Sequence, residues 1–162
     1  MADESTGFDI PELKAEFVFR QRPVAIPGDL RIGWRIGLLV LLMSGCCKSG
    51  RTSLTRLHVL SWGIRTQESR DALIAASNNE VPPGTLLVRF EPFLNRAIDF
   101  ALGEGLISRT DGARIELSQK GRTLATELVS DQAVYVTEKR FIETVRFRVT
   151  EKLVDGIFGG KP

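Results

Sequence analysis

From Leu30 onward the apolar positions Leu30, Ile32, Trp34, Ile36, Leu38, Leu39, Leu41 and Leu42 follow one another with little polar interruption. This is the pattern of a helix buried on nearly all sides. Gly45 and the polar run Lys48-Ser49-Gly50-Arg51 stop it, and Thr52 or Ser53 can cap a second helix in which Leu54, Leu57, Val59, Leu60 and Ile64 recur at helical spacing. A third, short helix is predicted from Thr66 to Ala76, with Glu68 suiting the positive end of its dipole. Pro82-Pro83-Gly84 then forces a turn. Leu86 to Phe90 has the β-branched and aromatic character of a strand. Pro92, favoured in a first helical turn, opens a helix to Leu102 with Leu94, Ala97, Ile98 and Ala101 among its apolar positions.

Gly103 and Gly105 end that helix, and two short runs follow, Leu106 to Arg109 and Arg114 to Leu117. The four residues between them, Thr110-Asp111-Gly112-Ala113, contain an Asp-Gly pair able to take the positive φ of a tight turn, so the segment reads as a β-hairpin. Ser118 is placed to cap a following helix through Leu124, Ala125 and Leu128. Helix, glycine stop, hairpin and helix within about thirty residues resemble the winged-helix family. The residues that carry the resemblance are Gly105, Leu106, Ile107, Ile115, Leu117, Ser118 and Gly121. It implies a mainly α fold with a small antiparallel β-wing, the strand at 86–90 lying beside the hairpin and the helix from Pro92 in the position of the recognition helix. Winged helices serve as DNA readers, docking modules and scaffolds alike, so the fold leaves function open.

The pattern divides the chain into an N-terminal arm over 1–29, a winged-helix domain over 30–131 and a C-terminal interaction helix within 132–162. The arm holds six acids against three bases and three prolines. Its Phe8, Ile10, Leu13, Phe17, Val18 and Phe19 are too many for a purely solvated tail, so it packs either on its own core or on a partner. After a connection from Val129 to Val136, Thr137 can cap one long last helix. Its apolar residues include Phe141, Val145, Phe147, Leu153, Ile157 and Phe158, more than one face of a small domain needs, which marks a protein interface.

A length of 162 residues with 43% hydrophobic content supports a real core, and 22 basic against 20 acidic residues give a net charge of +2. That balance is far from the basic excess of a dedicated nucleic-acid binder. Cys46 and Cys47 are adjacent, where a bridge is strained, and they fit a reducing, cytoplasmic setting. The apolar stretch Ile36 to Met43 is too short to span a bilayer, so no membrane is expected. The single histidine, His58, sits between Leu57 and Val59 and reads as structural. With one His and two adjacent Cys there is no ligand set for zinc and no base-activated nucleophile. Gly45 to Thr52 has its Lys and Ser before the second glycine and no strand leading in, unlike a phosphate-binding loop. No catalytic residue, cofactor, metal or small-molecule substrate is expected.

A DNA-reading helix needs Arg, Lys, Asn or Gln toward the groove. Between Pro92 and Leu102 only Asn95 and Arg96 qualify, while Asp99, Glu91 and Glu104 add charge that phosphates repel. Lys48, Arg51, Arg109, Arg114, Lys120 and Arg122 are candidates for phosphate neutralisation or plain surface bases, and imply weak, non-specific duplex binding. Phe17, Phe19, Phe141, Val145, Phe147, Leu153, Ile157 and Phe158 are the candidate partner contacts. A small winged-helix subunit without catalytic residues, carrying Leu54-Thr55-Arg56-Leu57-His58-Val59-Leu60-Ser61-Trp62-Gly63-Ile64-Arg65 before its wing, resembles the middle components of bacterial three-component systems of the Lamassu anti-phage type. The resemblance covers roughly Leu30 to Asp131. It implies a non-enzymatic adaptor between an SMC-like coiled-coil ATPase and an effector nuclease. A homodimeric winged-helix transcription regulator is the alternative.

Overall fold

A computed structural model describes residues 31–111 and 114–159. These form a mainly helical fold with one three-stranded antiparallel sheet. In chain order the elements are α1 (Ile32–Cys46), β1 (Arg51–Ser53), α2 (Leu54–Arg65), α3 (Gln67–Ser77), α4 (Pro92–Gly103), β2 (Ile107–Thr110), β3 (Arg114–Leu117), α5 (Gln119–Ser130), α6 (Val136–Val145) and α7 (Glu151–Phe158). Short 3₁₀ turns lie at Lys48–Gly50, Pro83–Thr85 and Arg146–Arg148. Side-chain oxygens start four of the helices by accepting an N–H of the first turn. Ser53 caps α2, Thr66 and Ser69 form a reciprocal capping box on α3, Ser118 caps α5 and Thr150 caps α7.

Leu38 to Met43 of α1 are all buried, as are Leu57, Val59, Leu60 and Ile64 of α2 and Leu94, Ala97, Ile98 and Ala101 of α4. Each fully buried Leu contributes about 1.5–3 kcal/mol of transfer free energy, so the central position of α1 dominates the core. Close approach is secured by small residues. A Cβ on Gly121 would meet the Leu106 carbonyl oxygen at 2.1 Å, and one on Gly63 would meet Leu73 at 2.3 Å. Gly121 therefore lets α5 lie against the backbone entering the hairpin, where the Leu106 carbonyl also accepts from the Ser118 N–H at 3.0 Å.

The sheet departs from expectation. Its third strand is β1, paired to β3 with Thr52 opposite Ile115, and the order is β1-β3-β2. Residues 86–90 do not join it and form neither strand nor helix, with Leu86 buried and Leu87 exposed. The hairpin has its second strand where expected and its first displaced by one residue, with Ile107 opposite Leu117, Arg109 opposite Ile115 and Thr110, expected in the turn, opposite Arg114. Gly112 and Ala113 of its turn lie outside the described residues.

The C-terminal part is also different. In place of one helix capped by Thr137, α6 begins after Tyr135, whose φ is +53°, and ends at Arg146, whose φ is +38°. A positive φ at a non-glycine residue breaks the helical path, and α7 starts afresh from Thr150. The break lets Val149 turn inward to full burial. Phe141, Ile142 and Val145 join the core built on α1 and α2, so residues 136–158 pack as part of the same body. Helix α5 also runs on to Ser130, through the start of the expected connection. Among the described residues no helix is long and apolar enough to cross a membrane.

Candidate protein-interaction site

Helix α4 is amphipathic in an unusual way. Its inner face uses Leu94, Ala97, Ile98 and Ala101, while Phe93 and Phe100, seven residues apart and thus on one side, stand about half exposed with Arg96 between them. The preceding segment adds Leu87, 84% exposed, and Phe90, about half exposed. Phe90 stacks on the His58 ring with centroids 4.3 Å apart, and the half-exposed Phe158 of α7 meets it edge-on at 5.4 Å. Four phenylalanines and a leucine from α4, the 86–91 segment and α7 therefore face outward.

A buried ion cluster holds this region to the core. Glu91, expected from sequence as a charge that phosphates repel, is buried. It accepts from Arg35 of α1 at 2.8 Å and pairs with Arg65 at the end of α2. Arg35 also lies over the Phe93 ring, 5.2 Å from its centroid. One arginine thus anchors both the acid before α4 and the first aromatic on its outer face. A buried carboxylate needs such partners, because desolvation otherwise opposes its charge. Nothing in the residue pattern around Glu91 signals this pairing, since its partners are 56 and 26 positions away.

The expected partner contacts separate into three groups. Phe147 and Phe158 are about half exposed, Leu153 is partly buried, and Phe141, Val145 and Ile157 are buried in the chain's own core. For those last three the expectation of a free contact surface is corrected: Phe141 and Val145 on α6 and Ile157 on α7 pack into the core formed with α1 and α2. Phe17 and Phe19 lie outside the described residues. Phe90, Phe93 and Phe100 are not among the expected contacts: in α4 an outward Phe carries the same apolar signal as an inward one, and Phe90 lies in the segment expected as a strand.

The six expected phosphate-binding bases do not form one patch. Lys120 donates to the Glu104 carbonyl at 2.8 Å and reaches its carboxylate at 3.5 Å. Arg122 donates to the Ser49 carbonyl at 2.7 Å and lies 3.4 Å from Glu116, opposite Arg51 in the sheet. Lys48, Arg51 and Arg122 are therefore brought together, with Glu116 among them. Arg109 and Arg114 are exposed at the far end of the hairpin, beside a cleft of about 250 Å³ lined by Leu54, Ile98 and Ile115. Among the described residues neither of these two side chains has a hydrogen-bond or ion-pair partner.

The groups with potential chemistry are turned inward. His58 shares a 3.1 Å hydrogen bond through Nε2 with Asn95 Oδ1, joining α2 to α4. Burial holds its pKa below the ordinary value, partly offset by that bond and by Glu91. Cys46 and Cys47 are buried and unbridged. Burial, with Cys47 adding to it, pushes the Cys46 thiol up to about 12, and burial raises Cys47 as well, so neither is a ready thiolate. Among the described residues no group of three His, Cys, Asp or Glu is placed to hold a metal. Comparison of the chain with models of known families, with curated proteins and with solved structures finds no match.

Proposed function

We propose that this chain is a non-enzymatic winged-helix adaptor subunit of a bacterial anti-phage defence complex, bridging an SMC-like coiled-coil ATPase and its effector nuclease. The observation that carries the adaptor reading is the outward face of α4. A helix that reads a major groove presents hydrogen-bonding side chains to base edges. Here the same side presents Phe93 and Phe100, and aromatics around an arginine are the typical anchors of protein interfaces. The winged-helix part rests on the order α1, β1, α2, α4, β2, β3 and on strand order β1-β3-β2, with α3 as an extra helix between α2 and α4. Exposed apolar side chains on separate elements, Phe93 and Phe100 on α4 and Val129, Val136 and Phe147 on α5 and beyond, suit a subunit that touches two partners.

Affinity purification of the tagged full chain from its native host, followed by mass spectrometry, tests this reading. Wild type should bring down an ATPase and a nuclease, and Phe93→Asp with Phe100→Asp should lower recovery of at least one by tenfold or more while the subunit stays folded. Equal recovery by the variant would remove α4 from the interface. The second reading, a homodimeric DNA-binding regulator, draws on the unpaired Arg109 and Arg114. A tight, sequence-specific footprint by the isolated chain near physiological salt would favour it over the adaptor, which should bind duplex DNA weakly and without preference.

A further inference from the structure

A groove of about 570 Å³ lies between α1, the end of α5 and α6. Leu41, Val129, Val136 and Phe147 supply its apolar surface, and the last three are about half exposed, a third of the nine large apolar side chains left exposed among the described residues. Lys139, Arg140 and Arg146 stand around it with Glu143 as the one acid. A concave apolar floor with a basic rim is suited to an apolar segment that carries acids at its flanks.

We propose that residues 8–19 of this same chain occupy the groove. They read FDIPELKAEFVF, with Phe8, Ile10, Leu13 and Phe17 as apolar anchors and Asp9, Glu12 and Glu16 against Lys14 alone. The segment is negative by two charges and the groove positive by two, so their fields are complementary. The tether fits. Groove residues Leu41 to Gly45 lie 10 to 14 residues beyond Arg31 along α1, a rise of about 15–21 Å. Residues 20–30 span up to about 36 Å when extended, enough to return along α1. Covalent attachment at that length gives an effective concentration of about millimolar, which no free partner in a cell readily matches. An incoming protein that uses this groove must first displace the chain's own segment.

The test uses the full chain with Ala15→Cys and Gln132→Cys, which add thiols beside the segment's anchors and on the groove lining without removing any apolar contact. Cys46 and Cys47, buried and poorly ionised, stay out of mild oxidation. Dilute oxidised protein should give a monomer cross-linked within itself, seen as a shifted band on a non-reducing gel and located by peptide mapping. The control, Ala15→Cys with Ser108→Cys on the hairpin, should cross-link at least tenfold less. In parallel, Leu13→Asp with Phe17→Asp should speed hydrogen exchange of the α6 amides by tenfold or more. Dimeric cross-links alone, which would place a second copy's segment in the groove, overturn the proposal, as do equal cross-linking in the control or unchanged exchange.

Discussion

Helices α1 and α4 are both rich in large apolar residues, yet they dispose of them differently. In α1 the six consecutive residues Leu38 to Met43 are all buried, because α2, α4, α5 and α6 surround it. In α4 the buried positions are two of moderate size, Leu94 and Ile98, and two alanines, while the bulkiest groups, Phe93 and Phe100, point out. The core beneath α4 is satisfied by the smaller set. The larger set stays about half exposed, and it is this exposed aromatic surface on which the proposed partner contact rests.

The contrast can be broken most severely at α1. Leu42→Ala should destabilise the chain by about 2–5 kcal/mol, read as a lower urea midpoint, since the site is closed on all sides and leaves a cavity. A loss below about 1 kcal/mol would mean that α1 is not the centre of the core. Next comes the ion cluster that joins the two helices. Glu91→Gln keeps the shape but removes the charge facing Arg35 and Arg65, and should cost about 1.5–3 kcal/mol, with high salt failing to abolish the difference because the group is buried.

His58, between α2 and the aromatic surface, gives a smaller and pH-dependent effect. Its pKa in the folded chain lies below the ordinary value of about 6.5, so the unfolded chain binds more protons as pH falls. The contribution of its neutral form is fully present above pH 6.5 and is lost on acidification through the folded pKa. Urea midpoints taken from pH 7.5 to 5 should fall more steeply for wild type than for His58→Gln, and parallel curves would contradict the assignment. The smallest effect belongs to the outer face: Phe100→Ser should change stability by no more than about 0.5 kcal/mol, and a large loss there would show Phe100 to be structural after all.

Much of the local architecture is legible in the residues themselves. The cap at Ser118, a cap at Thr52 or Ser53 before α2, Pro92 at the start of α4 and the hairpin follow from backbone chemistry that acts over three or four residues. What is not legible depends on distant packing. Arg51–Ser53 is polar and three residues long, so nothing in its pattern announces a strand; it becomes one because β3 offers an edge. Leu86–Phe90 has better strand propensity and no partner to pair with. The break at Arg146 involves neither Gly nor Pro, so no residue type in the sequence announces it. For the candidate interaction site, the alternation that makes α4 a helix is visible, but which Phe faces out is decided by the neighbours of α1.

Tyr135 carries a consequence of another kind. Its hydroxyl donates to the Trp34 carbonyl at 2.8 Å, its ring stacks on Trp34 at 5.6 Å, and it passes over Gly37, where a Cβ would collide with it. The two residues are 101 positions apart. Closing a loop of that length costs about 4 kcal/mol in chain entropy beyond a constant, so this contact is a poor starting point for folding and a good finishing one. The chain therefore has a built-in clock hand: Trp34 emission, altered by the tyrosine ring, should report the docking of α6 onto α1 as the slow closing phase of refolding, after the helices and hairpin that precede it have formed.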